Sequence, residues 1–357
     1  MTTIRPHTDD NVVPEIHVAA GDIRSSPIAA YLGVFLGPED DMRFILPTRR
    51  LALQALGFAL VSPFSRVWAA SDEKALTFLA VGDWGRDGAF HQSDVAARMG
   101  ETAEALSARF VISVGDNFYE DGVDGVTDPK WKTSFEDIYT APSLQVPWYV
   151  ALGNHDYHGD TQAQLDYTQI SRRWRLPRRW YSFTEVSPDG VAVEIFVLDT
   201  SPLISGYYKD GGKAVRVMGQ DTAAQLAWFD NALARSTADW KLVVGHHPVY
   251  SGGGADPEAG GSPDLIARID PILQRHRVPL YLNGHDHDLQ HVVRGATHYV
   301  CTGAGSKMHE QCFMQGSDFC SLRSGFTAFA IARDKLRVAY RDFMGAELHV
   351  VEIPRPI

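Results

Sequence analysis

Leu76-Thr-Phe-Leu-Ala-Val-Gly-Asp-Trp-Gly85 is an apolar run with the length and β-branched content of a buried strand, closed by a glycine-bearing turn that offers a carboxylate. Four later stretches repeat the arrangement. Arg109-Phe-Val-Ile-Ser-Val114 leads into Gly115-Asp116, and the turns Gly153-Asn154-His155, Gly245-His246 and Gly284-His285-Asp286-His287 close the others. Any one of these alone is better explained as a turn-forming Asp or a surface His. Five in this order bring carboxylate, amide and imidazole groups to strand ends, which is where open α/β sheets place their chemistry.

Between these runs lie helical signals. Residues 93–107 place Val95, Met99, Ala103 and Leu106 on one face with Ser93 as N-cap, so with strands at 76–81, 109–114 and 147–152 they predict βαβ units. Helices are also expected over 222–235 behind Asp221 and over 263–276 behind Ser262, with Pro263 in the first turn. The remainder reads as strands at 191–198, 241–244, 279–282, 297–302, 326–332, 336–341 and 347–353. That is too many for one central sheet, so the expected fold is an α/β (α+β) αββα four-layer sandwich of two packed mixed β-sheets flanked by helices. Glycine-rich loops at 210–212 and 252–254 and the segment 303–325 are expected to be mobile rims.

A hydrophobic share of 45% with eight tryptophans supports a large buried core and excludes a largely disordered chain. The N-terminus differs. Thr48-Arg49-Arg50 precedes Leu51-Ala-Leu-Gln-Ala-Leu-Gly-Phe-Ala-Leu-Val61, then Pro63 and the small-residue pattern Val67-Trp-Ala-Ala70. This has the form of a twin-arginine export signal, and its apolar stretch is well short of the ~20 residues a spanning helix needs. Three regions follow: an upstream segment 1–41 with Met42 as the expected true start, a signal over 42–70, and a single catalytic domain over 71–357. The expected location is periplasmic or secreted, with the twin-arginine machinery as partner and no stable membrane anchor. The chain carries 33 basic and 44 acidic residues, which disfavours nucleic acid as a partner. All three cysteines, Cys301, Cys312 and Cys320, fall in the exported part, without zinc-site spacing. Export allows a Cys312–Cys320 disulfide with Cys301 left as a buried thiol; the alternative is three reduced cysteines.

Asp, Asn, Tyr and His together form a donor set for hard or borderline cations such as iron, zinc or manganese. They are too many for one ion, and two ions sharing a bridging carboxylate would use them all. A phenolate with carboxylates suits a trivalent ion, and an amide with imidazoles suits a divalent one.

The segments Gly82-Asp-Trp-Gly85, Gly115-Asp-Asn-Phe-Tyr119, Gly153-Asn-His-Asp156, Val243-Val-Gly-His246 and Gly284-His-Asp-His287 resemble the five signature blocks of the purple acid phosphatases, within the calcineurin-like metallophosphoesterases. The small, tartrate-resistant type is the most similar. The resemblance covers nearly everything after residue 75, including Leu198-Asp-Thr200 and Thr302-Gly-Ala-Gly305. It implies that Asp83, Tyr119 and His287 bind iron(III), that Asn154, His246 and His285 bind a divalent ion (iron, zinc or manganese), and that Asp116 bridges them. Tyr119 carries the discrimination within the superfamily, because related phosphodiesterases and protein phosphatases supply a histidine where this chain has Gly85. Tyrosinate on iron(III) would absorb visible light, so a purple or pink protein is expected.

The implied reaction is in-line attack of a metal-bound hydroxide on small phosphomonoesters, with phosphoproteins and nucleotides as further candidate substrates. His155 is the expected proton donor to the leaving oxygen, and His247 is a second candidate. Competing readings are a phosphodiesterase or nucleotide-directed hydrolase, and a non-catalytic iron-binding protein. Asp156 and Asp286 are expected to orient a ligand histidine, and Trp84 to pack beside the site. The run from Arg172-Arg-Trp-Arg175 to Arg178-Arg-Trp180 reads as a solvated arginine face with core tryptophans, or as a rim that recruits anions. His91, His158, His276, His291, His298 and His309 lack motif context and read as surface or packing residues.

Overall fold

The run Leu76–Val81 is strand β1 and is buried along its whole length. A computed structural model describes residues 74–356 except 210, 212–213, 253–260, 311 and 313–316. The expected segment 1–41, the expected signal 42–70, and parts of the loops at 210–212, 252–254 and 303–325 lie outside the described residues.

β1 is parallel to β2 (Val111–Ser113), which continues in parallel to β3 (Trp148–Val150) and β4 (Trp174–Arg175). On its other side it is antiparallel to β12 (Gly325–Ile331), followed by β13 (Lys335–Asp342) and β14 (Glu347–Pro354). The second sheet starts with β5 (Tyr181–Val186), antiparallel to β6 (Ala192–Val197). A parallel set then runs from β6 through β7 (Trp240–Val244) and β8 (Leu280–Asn283) to β10 (Thr297–Thr302). β9 (Leu289–Arg294) and β11 (Phe319–Ser321) close its far edge antiparallel. Among the described residues each sheet has seven strands, and both are mixed, as expected of the two-sheet sandwich.

Side-chain alternation decides which layer each residue enters. Val193, Ile195 and Val197 of β6 face the core between the sheets, while Phe196 joins a second cluster with Val243, Phe229, Leu233, Leu265 and Leu273 under the outer helices. A strand covered on both faces reads as an unbroken apolar run, which is why these runs were visible in the sequence.

The helix Thr222–Arg235 buries Gln225, Phe229 and Leu233 at four-residue spacing, and Asp221 caps it by accepting from Ala224 N at 2.9 Å. Burying the Phe229 side chain contributes roughly 2–3 kcal/mol. The expected helix over 263–276 is two short ones, Pro263–Arg268 and Asp270–Arg275. Pro271 explains the break, since it has no N–H to donate to the carbonyl of residue 267 and its ring crowds that carbonyl, while it is tolerated in the first turn of the second helix. The first helix starts at Gln92 behind a left-handed His91, not at Ser93, whose hydroxyl instead donates to the Gly88 carbonyl at 3.1 Å. The described part of the 303–325 segment contains β11 and a disulfide between Cys312 and Cys320, and Cys301 is a buried free thiol.

The arginine run is mixed, and one of its members is not on a solvated face. Arg173 is buried, donates to Glu136 and to the Tyr139 carbonyl, and lies over the Phe135 ring. Trp174 beside it is in the core, while Arg172 and Arg178 are exposed.

Candidate metal centre

The parallel strands of both sheets run the same way toward one end, and their following turns meet there. Gly82 N donates to the Thr302 carbonyl and Gly305 N to the Gly82 carbonyl, so the sheets are hydrogen-bonded to each other at this end. That is the role of the Thr302-to-Gly305 turn. Asp83, Asp116 and His285 have left-handed backbones, with φ of 60°, 49° and 69°. These conformations are uncommon for residues with a Cβ and gather at functional sites. Gly153 is required by space, because a Cβ there would lie 2.1 Å from Asp116 Oδ1. Gly85 likewise presses on the Asn117 carbonyl, so a histidine there would not fit this backbone.

Seven expected donors form two adjoining groups. In the first, the Tyr119 hydroxyl lies 3.1 Å from Asp83 Oδ1, 3.0 Å from Asp116 Oδ2 and 2.9 Å from His287 Nε2. In the second, Asn154 Oδ1 lies 3.2 Å from His246 Nε2 and 2.9 Å from His285 Nδ1. Asp116 belongs to both, since its other oxygen, Oδ1, is 3.4 Å from His246 Nε2. The His246 ring is fixed by its Nδ1, which is 3.0 Å from the Val114 carbonyl and donates to it, leaving Nε2 as the ligand atom.

The electrostatics call for cations. Asp83 and Asp116 are buried at 0% and 2% exposure, and no lysine is paired with either among the described residues. Burial alone would raise the Asp116 carboxyl, but His246, His155 and His285 overcome it and hold the group far below the usual range. Burial, then Asp116 and Asp83, push the Tyr119 phenol well above its ordinary value. Burial would lower His246, yet Asp116 raises it to about 9. Burial and the neighbouring His246 bring His285 down to about 3. Buried carboxylates and a phenol sharing atoms at about 3 Å are costly without positive charge. The residues therefore fit two cations of the hard and borderline kind.

The expected proton donor His155 sits beside the first group. Its backbone N donates to Asp116 Oδ1 at 2.8 Å, its Nδ1 bonds the Glu120 carbonyl, and its ring lies 4.5 Å from the Tyr119 ring. His247 is buried with both ring nitrogens engaged, Nδ1 at 2.9 Å from Thr200 Oγ1 and Nε2 at 2.8 Å from the Tyr207 hydroxyl. Burial and the neighbouring imidazoles push its pKa well down.

Asp156 and Asp286 hold backbone and loops, and among the described residues no ligand histidine is a hydrogen-bond partner of either. Asp156 accepts from Asn117 N, Gly153 N and Gln164 Nε2, while Asp286 accepts from Ser251 Oγ. Trp84 packs as expected, edge-on to Phe118, and donates to Ser113 Oγ at 2.8 Å. Sequence reading missed His309. Its ring stacks on that of His287 at 4.5 Å, its N donates to the His287 carbonyl at 3.1 Å, and His287 N donates to its Nδ1 at 3.3 Å. No local motif marks this contact; the 22-residue span is closed by the fold.

Comparisons with known proteins bear on the family and the fold. The calcineurin-like phosphoesterase family matches residues 76–289. The chain is 39% identical to Purple acid phosphatase 7 of Arabidopsis thaliana over 77% of its own length and 85% of that protein's. It is 35% identical to human Tartrate-resistant acid phosphatase type 5, over 79% of this chain and 91% of the other. Among solved structures, GAP50, the anchor in the inner membrane complex of Plasmodium, matches with a TM-score of 0.70 at 24% identity, over 80% of this chain and 90% of that one. The purple acid phosphatase PPD1 from yellow lupin seeds matches with a TM-score of 0.56 at 17% identity, over 79% of this chain and 54% of that one. At these identities the structural matches speak for the fold alone.

Proposed function

The chain belongs to the calcineurin-like phosphoesterases and, among them, to the purple acid phosphatases, and from that premise we propose that it is an exported acid phosphatase that hydrolyses phosphomonoesters at an iron(III)–divalent centre. Small phosphate esters are the proposed substrates, with phosphoproteins and nucleotides also able to present the same group. The observation that carries the reading is Asp116, which places one carboxylate oxygen in each of two donor groups, with the Tyr119 hydroxyl central to the first.

Asp83, Tyr119 and His287 would hold iron(III), Asn154, His246 and His285 the divalent ion, and Asp116 both. Cations there would neutralise the phosphoryl oxygens and acidify a water for in-line displacement. The protein's own part is to orient and to move protons. With Nδ1 donating to the Glu120 carbonyl, His155 keeps Nε2 for the substrate, and in its doubly protonated form passes that proton to the leaving oxygen. A proton from His247 would have to pass through Tyr207, which occupies its Nε2. Among the described residues no helix is long and apolar enough to cross a membrane. The signal-like segment 42–70 is what supports export.

Metal analysis with a visible spectrum, and turnover of an aryl phosphate against its bis-aryl diester, test this. We expect two metals per chain, a visible band and faster monoester turnover in acid. Faster diester turnover would make it a phosphodiesterase, and a coloured, metal-replete protein inert toward every phosphoester from about pH 4 to 8 would leave only metal binding.

A further inference from the structure

Arg86 follows the first ligand turn directly, and its guanidinium carbon lies 3.6 Å from the centroid of the Tyr119 ring. Its side chain is 8% exposed, while that of its ion-pair partner Glu120 is 66% exposed. The backbone holds it in place, since Arg86 N donates to Gln92 Oε1 at 3.0 Å and Tyr119 N donates to the Gly85 carbonyl at 2.9 Å. Nε is buried and has no hydrogen-bond partner among the described residues. A nearly buried guanidinium facing the flat of a ring, its main carboxylate partner lying out in solvent, is poorly explained as a surface ion pair. A ring that carries negative charge would explain it, because the π face of a phenolate attracts a cation more strongly than that of a neutral phenol.

We propose that Arg86 is a positioning residue that tunes the Tyr119 ligand: its cation over the ring stabilises the phenolate's electrons, and its pairing with Glu120 braces the strand turn that holds His155. This rests on the proposed role of Tyr119 as an iron(III) ligand. Two charges besides Arg86 bear on the arrangement. Glu120 partly offsets the cation, and Lys307, whose Nζ lies 5.8 Å from the Phe90 ring that Arg86 also faces at 5.8 Å, adds to it. The Arg86 guanidinium faces the phenol ring itself, whereas a metal would be held through the phenol oxygen. Removing its charge therefore raises the donor electrons more than the acceptor orbitals, and narrows the gap that sets the colour.

The test uses the metal-loaded protein and the variants Arg86→Met, Arg86→Lys and Glu120→Gln, read by visible spectrum and by the iron reduction potential at full metal content. In Arg86→Met the band should move to longer wavelength, on the order of 10 nm or more, and the potential should fall. Arg86→Lys should restore part of both shifts, which a merely structural loss would not allow. Should Arg86→Met fail to fold or load, Glu120→Gln decides: with the offsetting carboxylate gone, the band should move to shorter wavelength. An unmoved band in whichever of these variants loads overturns the proposal while leaving Tyr119 a ligand. A metal-replete wild-type protein without any such band overturns both.

Discussion

The two sheets contribute different atoms to one site. Turns after β1, β2 and β3 carry only oxygen donors, Asp83, Asp116, Tyr119 and Asn154, whereas turns after β7 and β8 carry only imidazoles, His246, His285 and His287. Neither donor group belongs to one sheet. His287 completes the group around Tyr119, and Asn154 completes the pair of histidines. The site therefore exists only when the sheets are docked, and the bonds from Gly82 to Thr302 and from His246 to Val114 hold that docking at the donors themselves. Hard anionic ligands and borderline neutral ones are mixed by topology, and each ion would receive both kinds.

Asp116 is the residue through which this comparison breaks most completely. Asp116→Asn should cost about three orders of magnitude in kcat and lose metal from both positions, measured by turnover and metal analysis. Loss of metal from one position with the other left fully occupied would deny it the bridging place. Next in size, each side can be struck separately. Asn154→Ala should deplete mainly the divalent ion while keeping the colour, whereas Tyr119→Phe should abolish the colour and keep some activity; colour surviving in Tyr119→Phe would remove it from the ligand set.

A smaller effect is expected at His309, which touches only the imidazole side. His309→Ala should weaken metal retention roughly tenfold to a hundredfold, seen as faster loss to a chelator, because the His287 ring loses its stacking partner and the acceptor for its backbone N–H. The last concerns not the metals but stability, at Asp199, a carboxylate of the second sheet kept out of both groups. Burial pushes it up to about 7, from 3.8, despite the Tyr157 hydroxyl that donates to it. The folded state thus holds a proton that the unfolded chain releases, so this group's contribution to stability is greatest below about pH 4 and declines as pH rises to about 7. Asp199→Asn should flatten that decline by about 2–4 kcal/mol in denaturant melts at successive pH values; an unaltered slope would mean the group is ionised in the folded protein.

Much of this was legible in the sequence where one residue type had to do two jobs. A glycine followed by a donor side chain at the end of an apolar run marks both a strand end and a candidate ligand, so the seven expected donors could be named, and the fold brings them together. His309 and Arg86 were not, because each acts across a turn on a residue distant in sequence, and neither stacking nor a guanidinium over a ring leaves a periodic trace. β5 and β9 were missed for another reason. Tyr181-Ser-Phe-Thr-Glu-Val186 is a half-exposed edge, and Leu289-Gln-His-Val-Val-Arg294 carries polar side chains into buried positions, so neither reads as an apolar run.

The left-handed turns at Asp83, Asp116 and His285 carry a consequence for how such a site can change over time. Asn, Asp and His are the side-chain-bearing residues that most readily accept that backbone, and they are also donors for these cations. Backbone and metal thus draw on the same short alphabet. A drifting lineage can exchange carboxylate, amide and imidazole at these corners at little conformational cost and so alter which ions it prefers, while a β-branched replacement is barred twice over. The geometry of the turn acts as a sieve that passes chiefly other ligands.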